Sequence, residues 1–173
     1  MFNVARQLLC NDDILNYQRF QRQEEELCWP ECTLYAIFSK LERDYLRISE
    51  NDYISTGRLV VSPGFLASLT QTLQLLVGKN GYLAFCKLSD YDRFPHCQYQ
   101  WNGFLLESLL CKYDLCFRII NSQVRDRRNQ KGIIVPDDSP YVTMEDLVLD
   151  VLKGEECMSI SERDLRSLLL NAA

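Results

Sequence analysis

The clearest helical pattern in the chain lies between residues 63 and 78. Five apolar side chains recur there at intervals of three and four residues, which places them on one side of a helix: Leu66, Leu69, Leu73, Leu76 and Val77. Ser62 and Pro63 are residue types that favour a helix start, and Gly78 favours a helix end. The pattern therefore predicts a helix over residues 63–77.

The preceding segment, residues 1–61, also has helical spacing. Ile14, Tyr17 and Phe20 indicate one helix, which the polar residues 11–13 would cap. A second helix is expected after Pro30, because apolar residues recur there at the same spacing: Leu34, Ile37, Phe38, Leu41, Tyr45 and Ile48. Residues 49–52 would end it, and residues 58–61 would form a short strand. We therefore expect an N-terminal helical segment.

A mixed series of elements is predicted after residue 78. Residues 82–85 read as a strand, residues 87–93 as a short helix that Phe94 and Pro95 end, and residues 98–113 as a longer helix. The apolar residues of the longer helix cover about half of its circumference: Trp101, Leu105, Leu106, Leu109, Leu110 and Tyr113. Residues 116–120 and 132–135 then predict a β-hairpin with a long, charged connection.

The order of elements over residues 62–136 resembles a winged helix, a variant of the helix-turn-helix fold. The resemblance rests on element order and length and covers less than half of the chain. It implies that the third helix, residues 98–113, enters a DNA major groove. It also implies that the loop at residues 121–131 is the wing, which contacts the DNA backbone or the minor groove.

A helical pair is predicted at the C-terminal end, residues 137–173. Thr143 is a suitable cap for a helix that carries Met144, Leu147, Val148, Val151 and Leu152 on one side and ends at Gly154. A second helix over residues 162–170 would complete the pair, which is either an extension of the central domain or a partial second winged helix. The expected fold class is thus mainly α with a small β-hairpin, in three parts: 1–61, 62–136 and 137–173.

The composition supports a folded protein. The 173 residues are 47% hydrophobic and 11% aromatic, so the chain is able to bury a core that offsets its conformational entropy. No apolar run approaches the roughly 18 to 20 residues that span a bilayer. The first residues lack the features of a signal or transit peptide, so a cytoplasmic location without a membrane partner is expected, with the 8 cysteines reduced.

Positive charge is concentrated in one part of an acidic chain. The net charge is −5, yet residues 112–131 hold six cations against two acids, a local charge of +4 that leaves −9 for the rest. Arginine side chains in a projecting loop suit phosphate groups and narrow minor grooves. The residues expected to contact DNA are Arg125, Arg127, Arg128 and Lys131 in the loop, Gln98, Tyr99 and Gln100 at the start of the long helix, and Lys112 at its end.

The sequence contains few residue patterns that are typical of catalytic sites. His96 is the single histidine, and the 7 glycines form neither a dinucleotide fingerprint nor a phosphate-binding loop. We therefore expect neither an enzyme nor a cofactor. Cys28, Cys32, His96 and Cys97 would make a Cys₃His zinc set, but their spacing is not that of a zinc ribbon, so ordinary thiols are favoured over a metal site.

Two features point to protein partners instead. The outward side of the long helix is expected to show Gln100, Gly103, Phe104, Glu107 and Cys111; Phe104 suggests a protein contact there, and Glu107 opposes phosphate. Leu165, Leu168 and Leu169 would either complete the core or form a dimer or docking surface. The favoured function is non-enzymatic DNA binding, as a transcriptional regulator or an accessory subunit. The alternative is a winged-helix interaction adaptor that does not bind nucleic acid.

Overall fold

The structure is a computed structural model that describes residues 14–19, 44–120 and 132–154, together with positions 22, 26, 28, 161 and 163. The chain divides into two compact units. Unit 1 is Met1–Ser62 with His96–Leu109, and unit 2 is Pro63–Pro95 with Leu110–Ala173.

Unit 1 contains a three-stranded antiparallel sheet. Its strands are β1 (Ile14–Asn16), β2 (Tyr45–Arg47) and β3 (Asp52–Ser55), in the order β1-β3-β2. Leu46 lies opposite Ile54 across β2 and β3, and both side chains are fully buried. The central strand thus carries the core of this sheet.

A tight polar turn joins β2 to β3. The Ile48 amide donates to the Asp52 carbonyl at 2.9 Å, and the Ser49 hydroxyl donates to the Asp52 carboxylate at 2.8 Å. The Ser49 hydroxyl oxygen also accepts from the amides of Asn51 and Asp52. These side-chain bonds fold the polar residues 49–52 back on themselves, so they connect two strands instead of ending a helix.

The described residues of unit 2 contain two complete helices and a second three-stranded antiparallel sheet. Helix α1 is Pro63–Val77; helix α2, Gly103–Lys112, crosses the unit boundary after Leu109; and helix α3 is Met144–Gly154. Strands β4 (Leu83–Ala84), β5 (Phe117–Ile120) and β6 (Ile133–Pro136) are arranged in the order β4-β6-β5. Short 3-10 turns occupy Thr56–Arg58, Gly78–Asn80 and Phe85–Lys87.

The second sheet packs against α3 and the segment that leads into it. A buried cluster is formed by Tyr82, Ala84, Ile120, Ile133, Val135 and Leu147, with Tyr141, Met144 and Val151 packed on it. The Tyr82 and Tyr141 rings meet edge to face with their centres 6.4 Å apart, an arrangement that aromatic quadrupoles favour. Both strands of the β5–β6 hairpin are therefore held by a core.

The expected fold class, mainly α with one small hairpin, is wrong. The described part of the chain holds two three-stranded sheets, and three of the strands lie in the segment expected to be helical. Ile14 and Tyr45 carry a helical spacing in the sequence, yet each pairs with β3. Pairing with a distant strand overrides local propensity in such short segments. The expected helix between residues 29 and 43 lies outside the described residues.

Two further local predictions are wrong. Residues 58–61 form no strand, because the chain makes a 3-10 turn at Thr56–Arg58 instead. Residues 88–102 contain no helix. The Asp90 carboxylate accepts from the Asp92 amide at 2.8 Å, and the Phe94 amide donates to the Tyr91 carbonyl at 3.0 Å. Such side-chain and turn hydrogen bonds compete with the helical pattern.

Several predictions are confirmed. Helix α1 begins at Pro63, and its end at Val77 is followed by Gly78 with a φ of 49°. The β5–β6 hairpin lies within one residue of its predicted position. Helix α3 begins after Thr143, whose hydroxyl oxygen accepts from the Asp146 amide at 3.2 Å. Apart from Arg163, the predicted second C-terminal helix lies outside the described residues. The three-part division stays a prediction.

Candidate nucleic-acid interface

The basic loop connects the adjacent ends of two paired strands. Ile120, the last residue of β5, lies directly opposite Ile133, the first residue of β6. Both side chains are buried, so the two ends of the connection are fixed to one edge of the second sheet. Arg125, Arg127, Arg128 and Lys131 lie between them, outside the described residues.

The hydrogen-bond pattern of β6 explains how Pro136 fits in this hairpin. The Asp137 amide donates to the Cys116 carbonyl at 3.1 Å. Along an antiparallel strand, the backbone N–H and C=O groups of successive residues point alternately toward and away from the partner strand. The backbone groups of Pro136 therefore point away from β5. Proline lacks an amide hydrogen, and the sheet loses no bond between β5 and β6 at that position.

Arg118 belongs to the basic segment in sequence but has a structural role. Its Nη2 donates to the carbonyl of Ser139 at 2.8 Å and to the carbonyl of Tyr141 at 2.7 Å. These bonds fix the segment between β6 and α3 to strand β5. One nitrogen of its guanidinium group is therefore committed to two backbone carbonyls. Lys112, the last residue of α2, is exposed.

The residues expected at the start of the recognition helix lie before it. Gln98 and Gln100 are exposed and Tyr99 is half-buried, and all three precede α2 in unit 1. The helix starts at Gly103 because Asn102 caps it: the Asn102 side-chain oxygen accepts from the Leu105 amide at 3.0 Å. The side-chain amide of Asn102 also donates to the Ile48 carbonyl at 2.8 Å, which fixes the cap to the β2–β3 turn.

The expected outward side of α2 is wrong. Gly103 and Glu107 are buried, Phe104 is half-buried, and only Cys111 and Lys112 at its end are exposed. Leu105, Leu106, Leu109 and Leu110 are buried, and Arg47 packs on the ring of Phe104. A helix that is buried on most of its circumference offers no surface for reading bases in a groove.

Arg47 covers Phe104 and was not identified from the sequence. Its side chain is 2% exposed, and its guanidinium carbon lies 4.3 Å from the centre of the Phe104 ring. Its backbone amide donates to the Ser108 hydroxyl at 3.0 Å. Phe104 is thus already in contact within the chain, which weakens its expected role in binding a partner. The pattern of apolar and polar residues at positions 45–47 gives no indication of this contact.

The possible zinc ligands do not form a cluster in the described part of the chain. No group of three His, Cys, Asp or Glu side chains there is arranged to hold a metal ion. Cys28 and His96 are exposed, and Cys32 lies outside the described residues. Burial raises the pKa of the Cys97 thiol, and hydrogen bonds from the backbone of Tyr99 and Gln98 partly oppose this. Such a thiol is a poorer source of thiolate for a metal.

The remaining predicted partner-binding residues, Leu165, Leu168 and Leu169, lie outside the described residues. Among the described helices, none combines the length and the apolar character that crossing a bilayer requires.

Comparison with protein-family models, with curated proteins and with solved structures finds no significant match.

Proposed function

We propose that this chain binds the sugar–phosphate backbone of duplex DNA through the loop at residues 121–131 and does not read base sequence. It would act as an accessory component of a nucleic-acid machine, and a sequence-specific regulator is disfavoured. The observation that carries the proposal is the pairing of buried Ile120 with buried Ile133 at the two ends of this loop.

The charge of the loop supports a phosphate contact. Residues 121–131 contain four cations and one acid, in a chain whose net charge is −5. The four cations fall within seven consecutive positions of the sequence, between two strand ends that pair with each other, and we treat them as one positive patch. Such a patch neutralises several phosphates at once and releases their counterions, which supplies most of the affinity in non-specific DNA binding.

The burial of α2 supports binding without sequence readout. Base recognition in the major groove needs several side chains on one accessible element. Helix α2 exposes Cys111 and Lys112 only, and Lys112 would add one phosphate contact near the end of the helix. Gln98, Tyr99 and Gln100 belong to unit 1 and are not needed for a backbone contact.

The test is DNA binding as a function of salt. The native chain and the triple variant Arg125→Ala, Arg127→Ala, Arg128→Ala are titrated with random-sequence duplex DNA at several salt concentrations. Each phosphate contact contributes about −0.9 to the slope of log K against log salt. We expect the triple variant to flatten this slope by about two to three units, since it removes up to three contacts.

A matched control distinguishes an effect of the loop on DNA binding from an effect of the chain's net charge. Lys79, Lys87 and Arg93 are exposed cations of unit 2 that lie outside the loop. Changing all three to Ala alters the net charge by the same amount as the loop variant. We expect this control to keep the native salt slope. Equal weakening by both variants, or weak binding that neither changes, would count against the loop and favour the protein-interaction adaptor.

A further inference from the structure

Helix α1 differs from the rest of the chain in its charge. It is 15 residues long and lies on the surface of unit 2. It contains no Asp, Glu, Lys, Arg or His, although 25% of the chain is charged. Charged residues are what usually fill the solvent side of a surface helix. Their depletion is a feature of the central part of protein interfaces.

The exposed side of α1 is continuous along the helix. Leu69, Thr72, Leu73 and Val77 are buried, and the opposite side is exposed. We call this exposed side the α1 outer face; it consists of Gly64, Ser68, Gln71 and Leu75, flanked by Ala67 and Gln74. Leu75 is 76% exposed, more than any other large apolar residue of the described chain.

The spacing of the α1 outer face fits a second helix. Its four central residues are separated by four, three and four positions. This is the spacing of a seam along which two helices pack at a small crossing angle. The residues are small at the start of the helix and larger towards its end. Because of this gradient, an antiparallel helix of the same sequence places its larger residues opposite the smaller ones: Gly64 meets Leu75, and Ser68 meets Gln71.

Electrostatics also favours a second copy as the partner. Two chains with a net charge of −5 each repel one another, and the repulsion is weakest where their contact surfaces carry no charge. Helix α3 illustrates the contrast, because Glu145, Asp146 and Asp150 are exposed on it. Two copies meeting through α3 would bring like charges together, whereas two copies meeting through α1 would not.

We infer that the α1 outer face is a homodimer interface, in which α1 packs antiparallel against α1 of a second copy across a two-fold axis. Such an axis brings the same patch of each subunit together. It passes between Ser68 and Gln71, so the two Gln71 side chains lie near each other at the centre of the contact. Leu75 of each copy covers the Gly64 end of the other and is removed from water there.

The test uses opposite charges at the centre of this contact. The full chain, Gln71→Glu and Gln71→Lys are each studied by sedimentation equilibrium in reducing buffer across micromolar concentrations. The native chain is expected to have the mass of a dimer. Each variant is expected to dissociate on the order of tenfold more readily, because two like charges then lie near each other across the two-fold axis. An equimolar mixture of the two variants is expected to regain dimers, because a Glu then lies near a Lys at the centre of the contact.

A matched control is Gln100→Glu, which places the same new charge at an exposed position of unit 1. It is expected to leave the mass unchanged, and circular dichroism of every variant checks that the fold is retained. Three results would each overturn the inference. These are a native chain that is monomeric throughout, a dimer that Gln71→Glu leaves intact, and a mixture of the Glu and Lys variants that remains monomeric.

Discussion

The guanidinium carbon of Arg47 lies 4.3 Å from the centre of the Phe104 ring, so a buried cation of strand β2 stacks on the first turn of α2. The same guanidinium donates to the carbonyls of Ser49 at 3.1 Å and Glu50 at 2.9 Å. One side chain thus holds together the β2–β3 turn and the helix. The pair explains why Phe104 is half-buried and unavailable as a projecting contact.

Removing this cation is expected to destabilise unit 1. Arg47→Met retains an unbranched chain in place of the aliphatic stem of arginine but loses the charge and both hydrogen bonds to carbonyls. We expect the free energy of unfolding to fall by about 1–3 kcal/mol. A double-mutant cycle with Phe104→Leu, measured by urea denaturation, should give a coupling of about 0.5–2 kcal/mol. Independent effects of the two substitutions would show that the ring contributes packing alone.

The start of α3 depends on a reciprocal cap. The Thr143 hydroxyl oxygen accepts from the Asp146 amide, and the Asp146 carboxylate accepts from the amides of Thr143 at 2.8 Å and Val142 at 3.0 Å. Thr143→Ala should destabilise the helix by about 1 kcal/mol, while Thr143→Ser keeps the hydroxyl and much of the stability. Amide hydrogen exchange along α3 measures the difference. Equal protection in both variants would show that the cap is unimportant.

The cap also predicts an effect of acid. Hydrogen bonds from the amides of Thr143 and Val142 lower the pKa of Asp146 below its ordinary value of 3.8. A carboxyl group whose pKa is lower in the folded state stabilises the fold above pH 3.8, and this contribution disappears as the pH falls through the folded pKa. An NMR titration should therefore place the Asp146 pKa below 3.8. Asp146→Asn should remove this part of the acid sensitivity of α3.

Tyr141 is expected to resist deprotonation. Its hydroxyl donates to the Asp150 carboxylate at 2.6 Å, and this bond, with some burial, raises the pKa of Tyr141 to about 12. The stabilising contribution is complete below pH 10.0, the ordinary value, and is lost as the pH rises through about 12. Ultraviolet titration of tyrosinate should show a step that Tyr141→Phe removes and that Asp150→Asn shifts towards pH 10. An Asp150→Asn titration identical to the native one would contradict the assigned cause.

The turn between α2 and β5 stores backbone strain. Cys116 has a φ of 59°, a left-handed conformation that costs a non-glycine residue about 1–2 kcal/mol. Cys116→Gly removes that strain but raises the entropy of the unfolded chain, so we expect a stability at or slightly above the native value. Cys116→Val should be less stable by about 1 kcal/mol, because a β-branched side chain tolerates this conformation poorly. Denaturation of the three proteins gives the order, and a Val variant as stable as the Gly variant would contradict it.

The candidate site was only partly predictable from the sequence. The charge of residues 121–131 is a property of the chain itself, and the β-rich runs on either side predicted the hairpin that holds the loop. The outward side of α2 was not predictable, since its apolar residues indicate which side is buried but not whether a second layer covers the rest. Arg47 provides that cover, and its position in a short strand carries no mark of it.

Helices α1 and α3 and the β5–β6 hairpin can be predicted from the chain alone, because their signals are local: apolar residues at a regular spacing, with Pro63, Gly78 and Thr143 at the helix ends. The folded structure was needed to place Ile14 and Tyr45 in strands, since strand pairing depends on partners far along the chain. It also decided that Glu107 is buried and Leu75 exposed. Burial depends on how the helices and strands pack together, and the hydrophobic pattern of a single helix or strand does not determine it.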